Sequence, residues 1–589
     1  MYRAPLRDIR FVIHELLGDA ALEVRFKDVD YSGELGDSIL EEAAKFAETV
    51  LGPTNRPGDT EGATWTPEGV KTPAGFREAY AEYIAGGWPQ LGVPTALGGQ
   101  GMPQVVGSAV EEMMFASNMA FFLGTSLARG AVEAIVASGG AAHLPEVVEK
   151  LVSGEWMGTM NLTEPQAGSD LGLLRTRAAP DGDRWRIFGQ KIFITYGDHD
   201  MTENIAHLVL ARIDGAPAGV KGISMFYVPK RLPDGSANDL RCLSIEHKLG
   251  LHGSPTCVMA FGEKDGAVGW LLGAPNSGLS HMFIMMNAAR LSVGVQGLAQ
   301  SERALQQALD WARSRKQGRP ADGSEPGPVP LVQHPDVRRM LLSMKSRTEA
   351  MRALAYTAGL ALDVAHHDAD AQKRQAAMLR AELLTPIVKA WCTEVAVEVT
   401  SLGIQVHGGM GYVEETGASQ FLRDVRVASI YEGTTGIQAN DLVGRKLARD
   451  RGGAMAALLK ELLEDLNAVR ATDVPTKVAK NAAIEALVML RDTTEWLLQL
   501  HGESPARALA VAVPYLMLCG TVLGGALLAR SAGIAGAALA ASTGDAEFYR
   551  AKQQTARFYA EHMLPGALGL ARVVKTGSAA VADADPALL

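Results

Sequence analysis

Apolar and polar positions along this chain follow two different periods. From residue 1 to about 157 the apolar residues recur at helical spacing, as in "DSILEEAAKFAETVLG", which opens on Asp and stops at Gly. The Gly, Pro and Asn content of "GPTNRPGDTEG" and "LGVPTALGGQGMP" predicts loops, and the apolar "VVGSAVEEMMFASNMAFFLGTSL" predicts a buried helix. Between 158 and 278 the pattern shortens. "RWRIFGQKIFITYG", "AHLVLARI", "GISMFYVP" and "CVMAFG" are rich in Ile, Val, Phe and Tyr and are broken by Gly or Asp, which predicts the strands of a small sandwich or barrel. From 279 the helical period returns in "ARLSVGVQGLAQSERALQQALDWARSRKQ", followed by the loop "GRPADGSEPGPVP" and long helices at about 335–366, 371–402 and 418–449.

The expected fold class is α+β, mostly α. Its order is an N-terminal helical domain (1–157), a β-sandwich or barrel domain (158–278), a helical bundle (279–450) and an additional helical extension (451–589). Segregated helices and strands exclude a βαβ doubly wound sheet, and with it a Rossmann dinucleotide site. The "GGMG" at 408–411 is no GxGxxG after a strand.

Composition narrows the classes. The chain is 47% apolar and 21% charged, as in a folded protein. Its net charge of −10 argues against nucleic acid as a partner, and the extension balances 13 Lys and Arg against 13 Asp and Glu. Cys242, Cys257, Cys392 and Cys519 are far apart with no CxxC pair, which suits reduced thiols in a cytoplasm and suggests neither a disulfide frame nor a metal site. "MYRAPLRDIRFVIHELL" is too charged for a signal peptide. The uncharged run 508–529 is long enough to span a bilayer and contains Gly520 and Gly524. Pro514 and its glycines favour a helix buried in a bundle, so no integral membrane segment is expected.

Four islands carry chemistry: "MNLTEPQAGSD" (160–170), "GQKIFIT" (189–195), "VHGGMGYVEETGASQFLRD" (406–424) and "IYEGTTGIQ" (430–438). In this order and layout the chain resembles the acyl-CoA dehydrogenase family of flavoproteins through about residue 449, and the extension resembles that of a long bacterial subgroup. The resemblance implies FAD as cofactor and an acyl-CoA as substrate: 3-methylmercaptopropionyl-CoA, or a short-, medium- or long-chain fatty acyl-CoA. It further implies an electron-transferring flavoprotein as acceptor, a role in fatty-acid β-oxidation, and a homodimer or tetramer. An acyl-CoA oxidase and a DNA-binding, alkylation-response flavoprotein are alternatives within the same resemblance.

Residue by residue, Glu432 matches the family's base in "YEG", with Gly433 beside the thioester. Ala289 occupies the position from which some members supply the base, and alanine cannot act as one. Thr163, Ser169, Phe193 and Thr195 match residues at the flavin ring, Ser169 also near substrate; Phe193 stands where many members have Trp. Arg315 and His334 match partners of the FAD pyrophosphate, Arg315 reaching a neighbouring subunit. Gln405 and Gly409 match residues at the adenosine half, and Thr434 another FAD contact; Gly436 stands where many relatives have Gln. Arg290 resembles a substrate-side arginine near the CoA chain. The alternative for Glu432 is plain: an acid in the first turn of the helix that follows.

Overall fold

The computed structural model describes residues 2–588 and divides into two compact units, one made of residues 43–102 and 117–289, the other of the remaining chain. In the first unit, strands β1 (Thr64–Thr66) and β2 (Gly69–Lys71) form a small hairpin. A larger sheet contains β3 (Trp156–Asn161), β4 (Arg177–Asp181), β5 (Arg184–Thr195), β6 (Asn204–Ile213), β7 (Ile223–Pro229), β8 (Leu240–Ile245), β9 (Thr256–Phe261) and β10 (Ala267–Leu272). The strands run β10-β7-β6-β4-β5-β9-β8, with β3 parallel to β6. Because β10 also pairs with β5, five strands close into a ring, the barrel-like solution that removes sheet edges.

Period-two alternation supplies two buried faces here. Along β6, Val209 and Ala211 join Ile187, Phe226, Val228 and Met259 inside, while Leu208 and Leu210 pack with Val132 and Ile135 of helix Leu127–Ala137 and Leu151 of helix Pro145–Ser153. The sheet is thus a rigid floor for the loops that leave it.

One expected loop is helix. Residues 47–51 widen into a π turn, and the helix continues as Gly52–Glu61 through Pro53 and Pro57. The widened turn accommodates residues without an N–H. Tertiary bonds then hold it: Asn118 Nδ2 donates to Thr54 Oγ1 (2.8 Å), and His252 Nδ1 lies 2.9 Å from Asp59 Oδ1. Gly58 is a packing residue there, since a Cβ would stand 2.9 Å from Phe76 Cε1. Asn118 also caps Met119–Thr125, breaking the apolar run after Ser117 into two helices.

In the second unit, Pro335–His367 and Ala371–His407 are long helices at the expected places. The predicted 418–449 helix is broken: Ala418–Val425 ends in a 3-10 turn, and Thr435–Asp441 begins anew. The extension supplies Gly453–Ala468, Val474–Glu503, Ala512–Ala540, Ala546–His562 and Leu564–Thr576. Ala512–Ala540 is buried along most of its length, and a Cβ on Gly520 would stand 2.1 Å from Trp391 Cγ. The glycines that resembled a membrane motif seat the Trp391 indole.

Candidate active site

The helix breaks at Glu432. This residue and Gly433 both adopt left-handed backbone, with φ of 54° and 93°. A non-glycine residue holds that conformation only where its surroundings enforce it. Three donors do so. Gln438 Nε2 donates to the Glu432 carbonyl (3.0 Å) and the Gly433 carbonyl (3.4 Å); Arg290 Nε donates to the former (3.4 Å) and Lys389 Nζ to the latter (2.6 Å). Position 433 requires glycine, because a Cβ would lie 2.8 Å from Gln438 Nε2 on top of the unfavourable φ. On the other flank the Tyr431 hydroxyl donates to Gln296 Oε1, and its ring packs on Val293, Ala396, Val425 and Ala428. Thr434 caps the next helix by accepting the Ile437 N–H (3.4 Å).

The electrostatics of this turn raise the Glu432 carboxyl. Glu432 is half-buried, and burial, the largest influence, raises its carboxyl above the ordinary value against the pull of Arg290 and Lys389. Among the described residues no donor binds its carboxylate, and its backbone N–H has no acceptor. An acid that merely capped Thr435–Asp441 would accept that helix's N–H groups. Here Thr434 performs that role, and the carboxylate is left free. Arg290, expected on the substrate side, is buried beside the Glu432 turn and lies 3.6 Å from Asp441 Oδ2, while Asp441 Oδ1 binds Arg445 (2.6 Å).

In the first unit, the 163–170 loop is tied to β5. Ile192 N–H donates to the Thr163 carbonyl (2.9 Å), which sets Thr163 beside the strand bearing Phe193 and Thr195. Between Lys191 and Ile194 the β5–β9 register shifts, and Phe193 takes φ 59°. That bulge turns the Phe193 ring outward, 59% exposed, where a strand-core reading would bury it. Ser169 is exposed and Thr195 partly so.

Beneath the loop lies a buried ion pair between residues of two of the islands, a pairing that the motifs do not spell out. Lys191 Nζ donates to Glu164 Oε1 (2.9 Å) and to the Leu162 carbonyl (2.9 Å). Glu164 also accepts from the N–H groups of Arg175 and Thr176 and from the Thr176 hydroxyl (2.6, 3.0 and 2.6 Å). Burial alone would raise Glu164; the Lys191 charge and these bonds hold it down at about 2. Burial likewise lowers Lys191 to about 8 in spite of its partner.

Other matched residues lie in the second unit. The Arg315 carbonyl accepts the Leu331 N–H (2.9 Å), and His334 Nε2 bonds the Gln317 carbonyl (2.7 Å), so both belong to one loop. Gln405 and Gly409 are exposed, and a Cβ at Gly408 or Gly409 would meet nothing within 4 Å. Beside them His407 stacks on Trp311 (5.2 Å between centroids), with His407 Nε2 and Trp311 Nε1 both buried and unpartnered. His407 Nδ1 donates to the Gly403 carbonyl (2.7 Å), so open backbone here adjoins one unused donor, Trp311 Nε1, and one unused acceptor, His407 Nε2, as a polar, flat cofactor needs. Glu164, Lys191 and Gln438 stand inside the quoted islands without a role assigned to them there, and Lys389 lies outside all four. Lys389 nevertheless left a signal: a lone cation inside the apolar "TPIVKAWC".

Residues 276–447 match the family model described as acyl-CoA dehydrogenase, C-terminal domain, and residues 159–263 that of the middle domain. Residues 448–585 match a model described as acetyl-CoA dehydrogenase C-terminal like. The chain is 46% identical to the 3-methylmercaptopropionyl-CoA dehydrogenase of Ruegeria pomeroyi, covering 96% of each chain. It is 35% identical to the broad-specificity linear acyl-CoA dehydrogenase FadE5 of Mycobacterium tuberculosis, covering 98% and 97%. An acyl-CoA dehydrogenase of Bacillus anthracis, solved in complex with FAD, shares the fold at a TM-score of 0.73 and 19% identity, covering 95% and 90%. With relatives of this identity spanning almost its whole length, the chain belongs to the acyl-CoA dehydrogenase family of enzymes.

Proposed function

We propose that this enzyme oxidises an acyl-CoA between Cα and Cβ to the trans-2-enoyl-CoA, with Glu432 as the base and FAD as cofactor. The observation that carries the reading is the Glu432 carboxyl: half-buried, raised above its ordinary value, and bound by no donor among the described residues. An α-C–H next to a thioester is weakly acidic, and an exposed carboxylate is too weak a base to remove it. Burial strengthens the base, and fixing its backbone spares the entropy of finding the proton. The free N–H of Glu432 supports a second role, donation to the thioester oxygen where enolate charge develops.

FAD, when bound, supplies the acceptor for the β-hydride. Thr163, Ser169, Phe193 and Thr195 are the residues for its ring. Arg315, His334, Gln405, Gly409 and Thr434 are those for its polar chain. The exposed Phe193 face, the open backbone at Gly409, the unused Trp311 donor and the unused His407 Nε2 acceptor support that fit.

The favoured substrate is 3-methylmercaptopropionyl-CoA, supported by the 46% identity to a relative of that name; a linear fatty acyl-CoA is second, supported by the resemblance to FadE5. Electrons pass to an electron-transferring flavoprotein in a β-oxidation type step. Four buried, unpaired cysteines support work in the reducing cytoplasm, and the Arg315 match supports a homodimer. Butanoyl-, octanoyl-, palmitoyl- and 3-methylmercaptopropionyl-CoA, tested with dye reduction and peroxide assay in parallel, decide between readings. Dye reduction without peroxide, greatest with 3-methylmercaptopropionyl-CoA, is expected. Stoichiometric peroxide would make the enzyme an oxidase, and inertness toward every acyl-CoA would refute the reading.

A further inference from the structure

Lys389 lies on the Ala371–His407 helix among Ile387, Val388, Ala390 and Trp391, all buried, and its own side chain is 0% exposed. A buried ammonium is costly unless it is bonded and has a counter-charge. Its hydrogen bond goes to the Gly433 carbonyl (2.6 Å), one residue from the base. Its counter-charge is the point of interest. Arg290, the other cation at this turn, has Asp441 at 3.6 Å. Lys389 has no carboxylate within ion-pair distance among the described residues, and the anion that acts on it most strongly is Glu432, ahead of Glu394.

We propose that Lys389 is the positioning residue of the base: its ammonium fixes the Gly433 carbonyl so that Glu432 keeps its left-handed turn, and it supplies a positive charge beside that turn. The inference rests on Glu432 being the base. A cation cannot be exchanged here for a neutral donor of equal reach. Gln438 already spans both carbonyls, yet it offers no charge to oppose the burial that raises the Glu432 carboxyl. Basicity is traded for ionisation, and the best base titrates near the pH at which it works.

The groups facing this pair are few. Glu432 faces Arg290, Lys389 and the Tyr431 hydroxyl; Lys389 faces Glu432, Arg290 and Glu394; Arg290 faces Asp441 and Arg445. Burial pushes the Tyr431 hydroxyl far up, so it stays neutral. Lys389 itself sits at about 8, lowered chiefly by burial, raised by Glu432, lowered by Arg290 and raised by Glu394.

The test follows flavin reduction under single-turnover conditions with 3-methylmercaptopropionyl-CoA and butanoyl-CoA across pH. Activity needs ionised Glu432, so it rises with pH through the base's titration. In Lys389→Met that acid limb should move up by about one pH unit, a rate loss of about tenfold at pH below the limb. Lys389→Arg, which keeps the charge, should restore the limb. A Met variant with the wild-type limb overturns the proposal. A second readout needs no acyl-CoA: difference infrared titration of the Glu432 carboxyl band, identified by its loss in Glu432→Gln. If the band moves in Lys389→Met while no acyl-CoA reduces wild-type flavin, the functional reading fails and the Lys389 assignment stands; an unmoved band overturns the assignment whatever the activity. Should Lys389→Met not fold, the reciprocal measurement serves. The coupling acts equally on both groups, so Glu432→Gln should lower the Lys389 titration, read by 13Cε resonance. A Lys389 titration unchanged in Glu432→Gln refutes the coupling.

Discussion

Glu432 and Gly433 show how the proposed base is held by atoms other than its own reactive ones. The carboxylate is left unbound because its backbone carbonyl, and that of its neighbour, take all the anchoring bonds. Gly433 is therefore expected to be the least replaceable residue of the turn. Gly433→Ala combines a φ of 93° with a 2.8 Å clash on Gln438, and should cost about 1–3 kcal/mol of stability together with a large fall in turnover. Urea denaturation and steady-state rates check this; unchanged stability would mean the turn is not under constraint. At this scale the sequence was informative where a motif spells out an acid between Tyr and Gly. It was silent on Lys389, because a lysine in an apolar run states that it is buried but not which carbonyl it meets. Its partner is separated from it by the helix end, a loop and a broken helix, a relation that no spacing encodes.

Among elements, two of the errors of expectation share a cause. The 52–61 stretch was rich in Gly, Pro and Asn, and the 418–449 stretch kept an apolar helical period; each local signal was overridden by tertiary bonds. Asn118 and His252 hold the first as helix, and the donors around Glu432 hold the second broken. Local consistency failed at 430–434, where strain is the means of presenting a side chain. The β region was legible because alternation of inward and outward residues survives in the sequence, yet the ion pair under the 163–170 loop was not. Lys191→Met would leave Glu164 buried without its counter-charge, at 3% exposure, and should cost about 3–5 kcal/mol. Because Lys191 also holds the Leu162 carbonyl, the same variant should release FAD more readily, measured by flavin retained after dialysis. Full stability in Lys191→Met would show that the pair is dispensable. The Glu164 contribution has a defined pH window: with its folded value held at about 2, it is present above the ordinary carboxylate range and lost as pH falls toward 2.

On the scale of the whole molecule, the 451–589 extension is part of the second unit rather than an appendage. Gly520 receives Trp391, two residues past Lys389, and Lys552 reaches Asp8 and Glu349 (3.0 Å). Nearby, buried Arg352 binds Asp8, Glu112 (2.6 Å) and Glu302 (2.7 Å). Two stretches, Met119–Ala137 and Ala512–Ala540, are apolar and long enough to cross a membrane, and both are mostly buried within the protein. Gly520→Ala should overpack the Trp391 seat and cost about 1–3 kcal/mol, read as a lowered unfolding midpoint. An unaltered midpoint would mean that the extension can shift without consequence for the bundle. The helix–strand–helix order of the molecule was readable from periodicity, whereas the docking of the extension was not. Gly520 and Trp391 are 129 positions apart, and a small residue opposite a large ring leaves no pattern in either helix.

Anaerobic mixing of an acyl-CoA with the FAD-loaded enzyme, comparing wild type and Glu432→Gln, tests the central claim most directly. The wild type should lose its flavin absorbance within the mixing experiment. The Gln variant should retain FAD and bind acyl-CoA, yet reduce flavin slower by about a thousandfold. Reduction of Glu432→Gln at near the wild-type rate would contradict the account, because the proton would then leave by another route.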